Sequence, residues 1–283
     1  GESYIIGILD NNESRLVMSE IVGFCEGNYS LKIYDSEKEI IYDTNSGILD
    51  FSVLSEGTVI DGSLGLNSFT KKMENISFVT GLFFGNFYFI SNILYKNKNK
   101  TKKMSGIGHI KKFYINYGRN LVIGTENKQS LSFKYLIELL YMLGLKPIDV
   151  RKQNESYEDI LNSNIVYYYT SDIEEISCKF IDDTIDCIFL FKPDNNLFIK
   201  NIIDKKEVLF LDIEFTETFN NLFSSYYYNK EITMSGNEDS FYTKYIIKTK
   251  NIRLVLISNI NVNNKPVHEL VNSYYTHNNL IIN

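Results

Sequence analysis

Short continuous apolar runs alternate along this chain with stretches in which apolar positions return every three or four residues. That alternation predicts strands and helices in turn. Strands are expected over 4–9, 30–34, 49–54, 119–124, 147–150, 165–169, 185–190 and 207–212. Helices are expected over 14–26, 36–45, 130–143, 155–162, 171–181 and 194–203. Between them lie a polar segment 55–68, strand-like apolar runs at 76–82 and 87–94, and a Lys/Asn-rich stretch 96–106. Strands alternating with helices of this length imply mostly parallel sheets covered by helices, so the expected fold class is α/β.

The pattern occurs twice. Tyr4-Ile-Ile-Gly-Ile-Leu leads through Asp10-Asn-Asn-Glu-Ser14 into a helical stretch, and Leu121-Val-Ile-Gly leads through Thr125-Glu-Asn-Lys-Gln-Ser130 into another, stopped by Gly144 and Pro147. Later in each half a short turn, an apolar residue, an aspartate and a buried run recur, at Asn45 to Asp50 and at Asp182 to Asp186. Two similar lobes, each with its own wound sheet, follow: residues 1–95 plus 217–283, and residues 110–212, with 96–109 as an insertion or crossover loop. Beyond residue 213 a helix-like 214–223, the Tyr226-Tyr-Tyr segment, an apolar stretch 245–258 and a helix 265–276 are expected to cross back and complete the first lobe.

With 283 residues, 44% hydrophobic and 23% charged, the chain can bury ample core. A net charge of −6 argues against a nucleic-acid groove, which relies on clustered Lys and Arg. The basic run Lys96 to Lys103 lacks interleaved aromatics and reads as a solvated loop. Alanine and tryptophan are absent while Asn, Ile and Lys abound, a bias of codon usage, so Asn-x-Ser/Thr triplets carry little weight. Cys25, Cys178 and Cys187 have neither zinc-site nor paired-disulfide spacing, and Cys25 and Cys187 read as buried small hydrophobes. No apolar run is long enough to span a membrane. Catalytic and nucleotide-binding patterns are missing: there is no HExxH, G-x-S-x-G, Walker A or G-x-G-x-x-G, and His109, His268 and His277 form no pair. Neither an enzyme nor a cofactor is expected.

The order of elements resembles a periplasmic-type (type II) solute-binding protein, and among those the TAXI family of TRAP-transporter receptors. The residues that carry the likeness are Asp10 to Ser14 in the first ligand loop, Ser36-Glu-Lys-Glu39 at a helix start, and Gly47-Ile-Leu-Asp50 with the polar pair Ser55-Glu56. In the second half they are Val122-Ile-Gly-Thr to Ser130, Thr184-Ile-Asp186-Cys with Phe191-Lys-Pro193, Tyr226-Tyr227, and Thr249 to Ser258. The family's glycine-rich first loop is replaced here by acidic and amide side chains, and its Ser-Gly-Thr triplet lacks the glycine. The resemblance implies an exported, periplasmic or cell-surface protein that closes two lobes on a small polar solute, amino-acid or carboxylate-like, and presents it to a membrane transporter or sensor. An intracellular location is the alternative. Polar loops at the carboxyl ends of strands are where such folds hold ligands. The expected contacts are Asn11, Asn12, Glu13, Ser14, Arg15, Ser36, Ser55, Glu56, Lys128, Gln129, Ser130 and Lys192, with Asp194 beside the last. Arg15 and Lys128 are the candidate carboxylate partners, Arg15 the better by its fork geometry. The rivals are a structural or adhesion protein reusing this fold with a degenerate cleft, and an enzyme built on it.

Overall fold

The computed structural model describes residues 1–92, 95–97, 100–102, 107–113, 118–152, 164–213, 227–236 and 244–282. Contacts divide the chain into two compact units, one of Gly1–Phe84, Asn221–Tyr228 and Ile252–Asn283, the other of Gly85–Asn220 and Asn229–Asn251. The fold is α/β.

In the first unit β1 (Ser3–Leu9), β2 (Asn28–Tyr34) and β3 (Phe51–Ser55) run parallel, with β1 between the other two. β3 is buried along its whole length, as expected of a strand covered on both faces. Helices α1 (Asn12–Gly23), α2 (Glu37–Ser46) and α3 (Glu56–Leu64) follow the three strands. α2 and α3 end on Gly47 and Gly65, whose φ of 82° and 68° suit the left-handed turn that stops a helix. The apolar residues of β1, β3, α1 and the terminal helix α7 (Asn264–Ile282) close one core around Ile6, Met18, Phe51 and Leu270. Ile40, Ile41, Leu54 and Ile257 anchor a second cluster in the same unit.

Two long strands pass from one unit to the other: β4 (Ile76–Asn92) and β13 (Tyr245–Asn259), the last strand in sequence. β13 returns antiparallel to β3, with Leu254 opposite Ser55. The second unit adds the short hairpin β5 (Tyr95–Asn97) and β6 (Lys100–Lys102), then β7 (Val122–Thr125), α4 (Leu131–Met142), β8 (Lys146–Asp149), β9 (Ile165–Thr170), α5 (Ile173–Ile181), β10 (Cys187–Lys192), α6 (Leu197–Lys205), β11 (Val208–Phe210) and β12 (Tyr228–Met234). β7 lies between β9 and β10 and β8 pairs with β9, all parallel, while β10 runs antiparallel to β4 with Lys192 opposite Asn86. Tyr88, Phe180, Ile188, Ile202 and Ile247 centre its core.

Hydrogen bonds repeat between the halves. Asp50 donates its N–H to Ile5 O at 3.0 Å and takes the Ile5 N–H on its carboxylate at 2.8 Å; Asp186 does the same with Val122 at 3.0 and 2.8 Å. The carbonyls of these aspartates accept from Asn259 N at 2.9 Å and Asn92 N at 3.1 Å. Both asparagine side chains cap the preceding helix, at Thr44 O (2.8 Å) and Phe180 O (3.5 Å). Even the close approaches match: a Cβ on Gly7 would sit 2.3 Å from Leu49 Cδ1, and one on Gly124 2.3 Å from Ile185 Cδ1. β1, β3 and the end of β13 thus correspond to β7, β10 and the end of β4.

Three expectations are corrected. The polar segment 55–68 contains helix α3, formed despite Gly57 and Gly62 because Gly62 admits the Ile41 side chain and Val59 is buried. The runs 76–82 and 87–94 belong to one strand, β4, kept extended by neighbours on both sides. Two independent sheets were expected, but the strand order β2-β1-β3-β13-β4-β10-β7-β9-β8 runs unbroken, since β4 and β13 belong to both units. Cys187 is buried as expected, whereas Cys25 is half-buried. The helices expected at 155–162 and 214–223, Tyr226, and residues 98–99 and 103–106 of the Lys/Asn-rich stretch lie outside the described residues.

Candidate functional site

Parallel strands bring all their carboxyl ends to one rim of a sheet, and the helices that follow point unpaired N–H groups toward it. In the first unit the rim is formed where β1, β2 and β3 hand over to α1, α2 and α3. Asn11 caps α1 by accepting from Ser14 N at 2.8 Å, and buried Ser14 sits in the first turn beside Asn12 and Glu13. Arg15 Nη2 holds Asp10 Oδ1 at 2.7 Å, both groups well exposed. Ser36 stands at the start of α2 without a side-chain cap bond. Ser55 gives its N–H and hydroxyl to Glu37 Oε2 at 3.0 and 2.9 Å.

Beside Ser55 the antiparallel register of β13 sets Arg253 next to Glu56. Arg253 Nε bonds Glu56 Oε2, and the other oxygen of that carboxylate accepts from the Tyr228 hydroxyl. This hydrogen bond to a carboxylate, with burial added, raises the Tyr228 pKa. The Arg253 guanidinium lies 5.4 Å from the Phe78 ring and 5.7 Å from the Phe84 ring, and Phe84 meets Tyr228 edge-on at 6.4 Å. Sequence reasoning found Glu56 but missed Arg253, Tyr228 and the two phenylalanines. The signal was present: Arg253 is a scarce arginine inside an apolar strand, a placement that calls for a partner.

The second unit has an equivalent rim. Ser130 caps α4 by accepting from Phe133 N at 3.0 Å, and Gln129 N donates to Asn127 Oδ1 at 3.1 Å. Lys128 pairs with nearly buried Asp149 at 3.2 Å and lies 5.9 Å from the Tyr168 ring. Burial pushes the Asp149 carboxyl up, but the Arg151 N–H and the Lys128 ammonium outweigh it, so its pKa lies below the usual aspartate value. Lys192 binds Glu126 at 2.9 Å, both largely buried, and Glu126 also accepts from Ser132 at 2.6 Å. Asn86, opposite Lys192, donates to Asp194 Oδ1 at 2.6 Å, and Lys230 reaches the other oxygen of Asp194 at 3.5 Å. Asn86 is 1% exposed, and its Oδ1 has no hydrogen-bond partner among the described residues.

The internal repeat aligns these places. Glu56 follows β3 as Lys192 ends β10, and Arg253 precedes Asn259 as Asn86 precedes Asn92, so Glu56 with Arg253 in one unit stands where Lys192 with Asn86 stands in the other. The expected site residues therefore fall into two groups, one per rim. Two depressions of about 590 and 390 Å³ lie elsewhere on the first unit, the larger along α7 and the smaller at the amino ends of β1 and β2. Neither touches a rim residue. Among the described residues no group of three or more His, Cys, Asp and Glu is arranged to hold a metal ion.

No family model matches the chain, and no curated protein does. Solved structures similar to it include the regulatory domain of HypT from Salmonella typhimurium, with 10% identity over 99% of this chain and 96% of that one at a TM-score of 0.44. The periplasmic binding protein BugD is similar with 7% identity over 97% and 82% at 0.45. The zinc-bound ligand-binding component of an ABC-type import system from Staphylococcus aureus has 13% identity over 97% and 72% at 0.36. At these values the likeness concerns general architecture and says nothing about ligand or activity.

Proposed function

We propose that this chain is a solute-binding protein that takes a small polar ligand, amino-acid or carboxylate-like, at the carboxyl-end rims of its parallel strands. One observation carries the reading: both halves of an internal repeat bring charged and amide side chains to the same rim position, Glu56 with Arg253 and Lys192 with Asn86. A repeat kept only for stability would call for apolar or self-satisfied residues there, yet Asn86 keeps an acceptor unused among the described residues. Export, delivery to a membrane transporter or sensor, closure of the lobes and the absence of turnover belong to the same proposal.

Native mass spectrometry of freshly purified protein tests it, together with thermal melting against a panel of amino acids and organic acids. A solute present at about a hundred times its Kd stabilises by about 2.7 kcal/mol, so a true ligand moves the melting point by several degrees. A chain that carries no metabolite and responds to no solute contradicts the reading. The structural rival has its own support, since Arg15, Lys128 and Lys192 are all engaged in internal ion pairs.

A further inference from the structure

Arg253 carries hydrogen-bonding capacity that the described residues do not consume. Its Nε is spent on Glu56, but among the described residues its Nη1 and Nη2 meet no acceptor. The guanidinium is nevertheless held in place. Phe78 and Phe84 flank it, Glu56 fixes one edge and is itself fixed by Tyr228. A Cβ on Gly81 would stand 3.0 Å from Nη1 and 3.1 Å from Cδ, so the glycine leaves the room in which the side chain lies. Phe78, Phe84 and Tyr228 are 53%, 48% and 43% exposed, so large exposed aromatic side chains surround an arginine whose Nη1 and Nη2 meet no acceptor among the described residues. Three exposed rings gathered around one guanidinium form a patch rather than scattered surface residues, and such patches mark binding sites.

The chemistry of this arrangement is selective. The outer edge of a guanidinium offers two parallel N–H groups that match a carboxylate, and a pre-oriented fork loses little entropy on binding. Exposed rings beside it suit a flat apolar body. Glu56 already offsets the charge of Arg253, so a carboxylate is held by the fork of N–H groups rather than by net charge, and each further negative charge on a ligand adds repulsion from Glu56 that disfavours a dianion. We infer that Arg253, with Phe78, Phe84 and Tyr228 around it, receives a monocarboxylate that carries a flat apolar or aromatic body. This rests on the solute-binding reading and narrows its ligand class.

The chain has four arginines, Arg15, Arg119, Arg151 and Arg253, so guanidinium signals of the full chain labelled with 15N-arginine can be assigned by single substitutions. Benzoate is the probe, with benzamide and inorganic phosphate as controls. Benzoate is expected to shift the Arg253 signal saturably in the millimolar range or below. Benzamide and phosphate should bind at least about tenfold more weakly. Arg253→Lys, which keeps the charge and loses the fork, should weaken benzoate about tenfold or more. Phe78→Leu, an apolar exchange at an exposed position, should weaken it several-fold and serves where Arg253→Lys fails to fold. Benzoate that leaves the Arg253 signal unmoved, or binds Arg253→Lys or Phe78→Leu as it binds the parent, overturns the inference. A co-purified or panel solute that stabilises parent and Arg253→Lys equally also overturns it while leaving the solute-binding reading intact; a chain that binds nothing removes both.

Discussion

Gly85 shows how strictly a single residue can be held. A Cβ there would lie 2.0 Å from Cζ of Phe191, whose ring is buried and packed against Phe87 and Tyr135. Gly85→Ala is expected to cost about 3 kcal/mol in urea unfolding, as overpacking of a filled core does. At Gly124 the nearest atom is the tip of Ile185, which can turn aside, and the same change should cost less. Asp149 sets a pH dependence. Its pKa is depressed in the folded state, so it stabilises the fold above the ordinary aspartate value, and that contribution is lost as pH falls through the folded value. Asp149→Asn should therefore destabilise by about 1–2 kcal/mol near neutral pH. Melting curves of variant and parent should converge once the medium is acid enough to protonate Asp149 in the folded chain.

At the scale of elements, the helices begin in two ways. α1, α4, α5 and α6 have side-chain caps from Asn11, Ser130, Asp172 and Asn196, whose short polar side chains reach the first-turn N–H groups. α2 and α3 begin at Ser36 and Ser55 without such a bond, and both carry an acid in the first turn. Asn11→Ala is thus expected to lower stability by about 1 kcal/mol, whereas Ser36→Ala should stay within about 0.5 kcal/mol. Chemical denaturation of the two variants side by side checks the contrast. α3 itself was hidden because its glycines and β-branched residues have low helix propensity, and only packing against α2 and β3 makes the helix worthwhile. β4 was read as two pieces because Gly81 and Gly85 interrupt its apolar pattern; both are there for neighbours distant in sequence, Arg253 and Phe191.

For the molecule as a whole, the shared strands decide cooperativity. β4 gives Leu82 to the core of the first unit and Tyr88 and Ile90 to that of the second, and β13 gives Leu256 to one and Ile247 to the other. Neither core is complete without both strands. One calorimetric transition is expected, with van't Hoff and calorimetric enthalpies in agreement. Two resolved transitions, moved separately by Asn11→Ala and Ser130→Ala, would count against it.

The sequence by itself determined the succession of most described strands and helices, α3 and the unbroken β4 excepted, their α/β class, and the repeat of Asp50 in Asp186. All of these depend on neighbours within one turn or one strand, where propensity and periodicity act directly. It also marked the polar turns that come to lie at the rims. Which of those polar groups are spent on partners within the fold was decided only by tertiary structure. Arg253 and Glu56 are 197 residues apart, and their meeting depends on the register between β3 and a strand near the other end of the chain. Alternation along a strand sets which face it buries, but which distant strand it meets is decided when the sheet assembles.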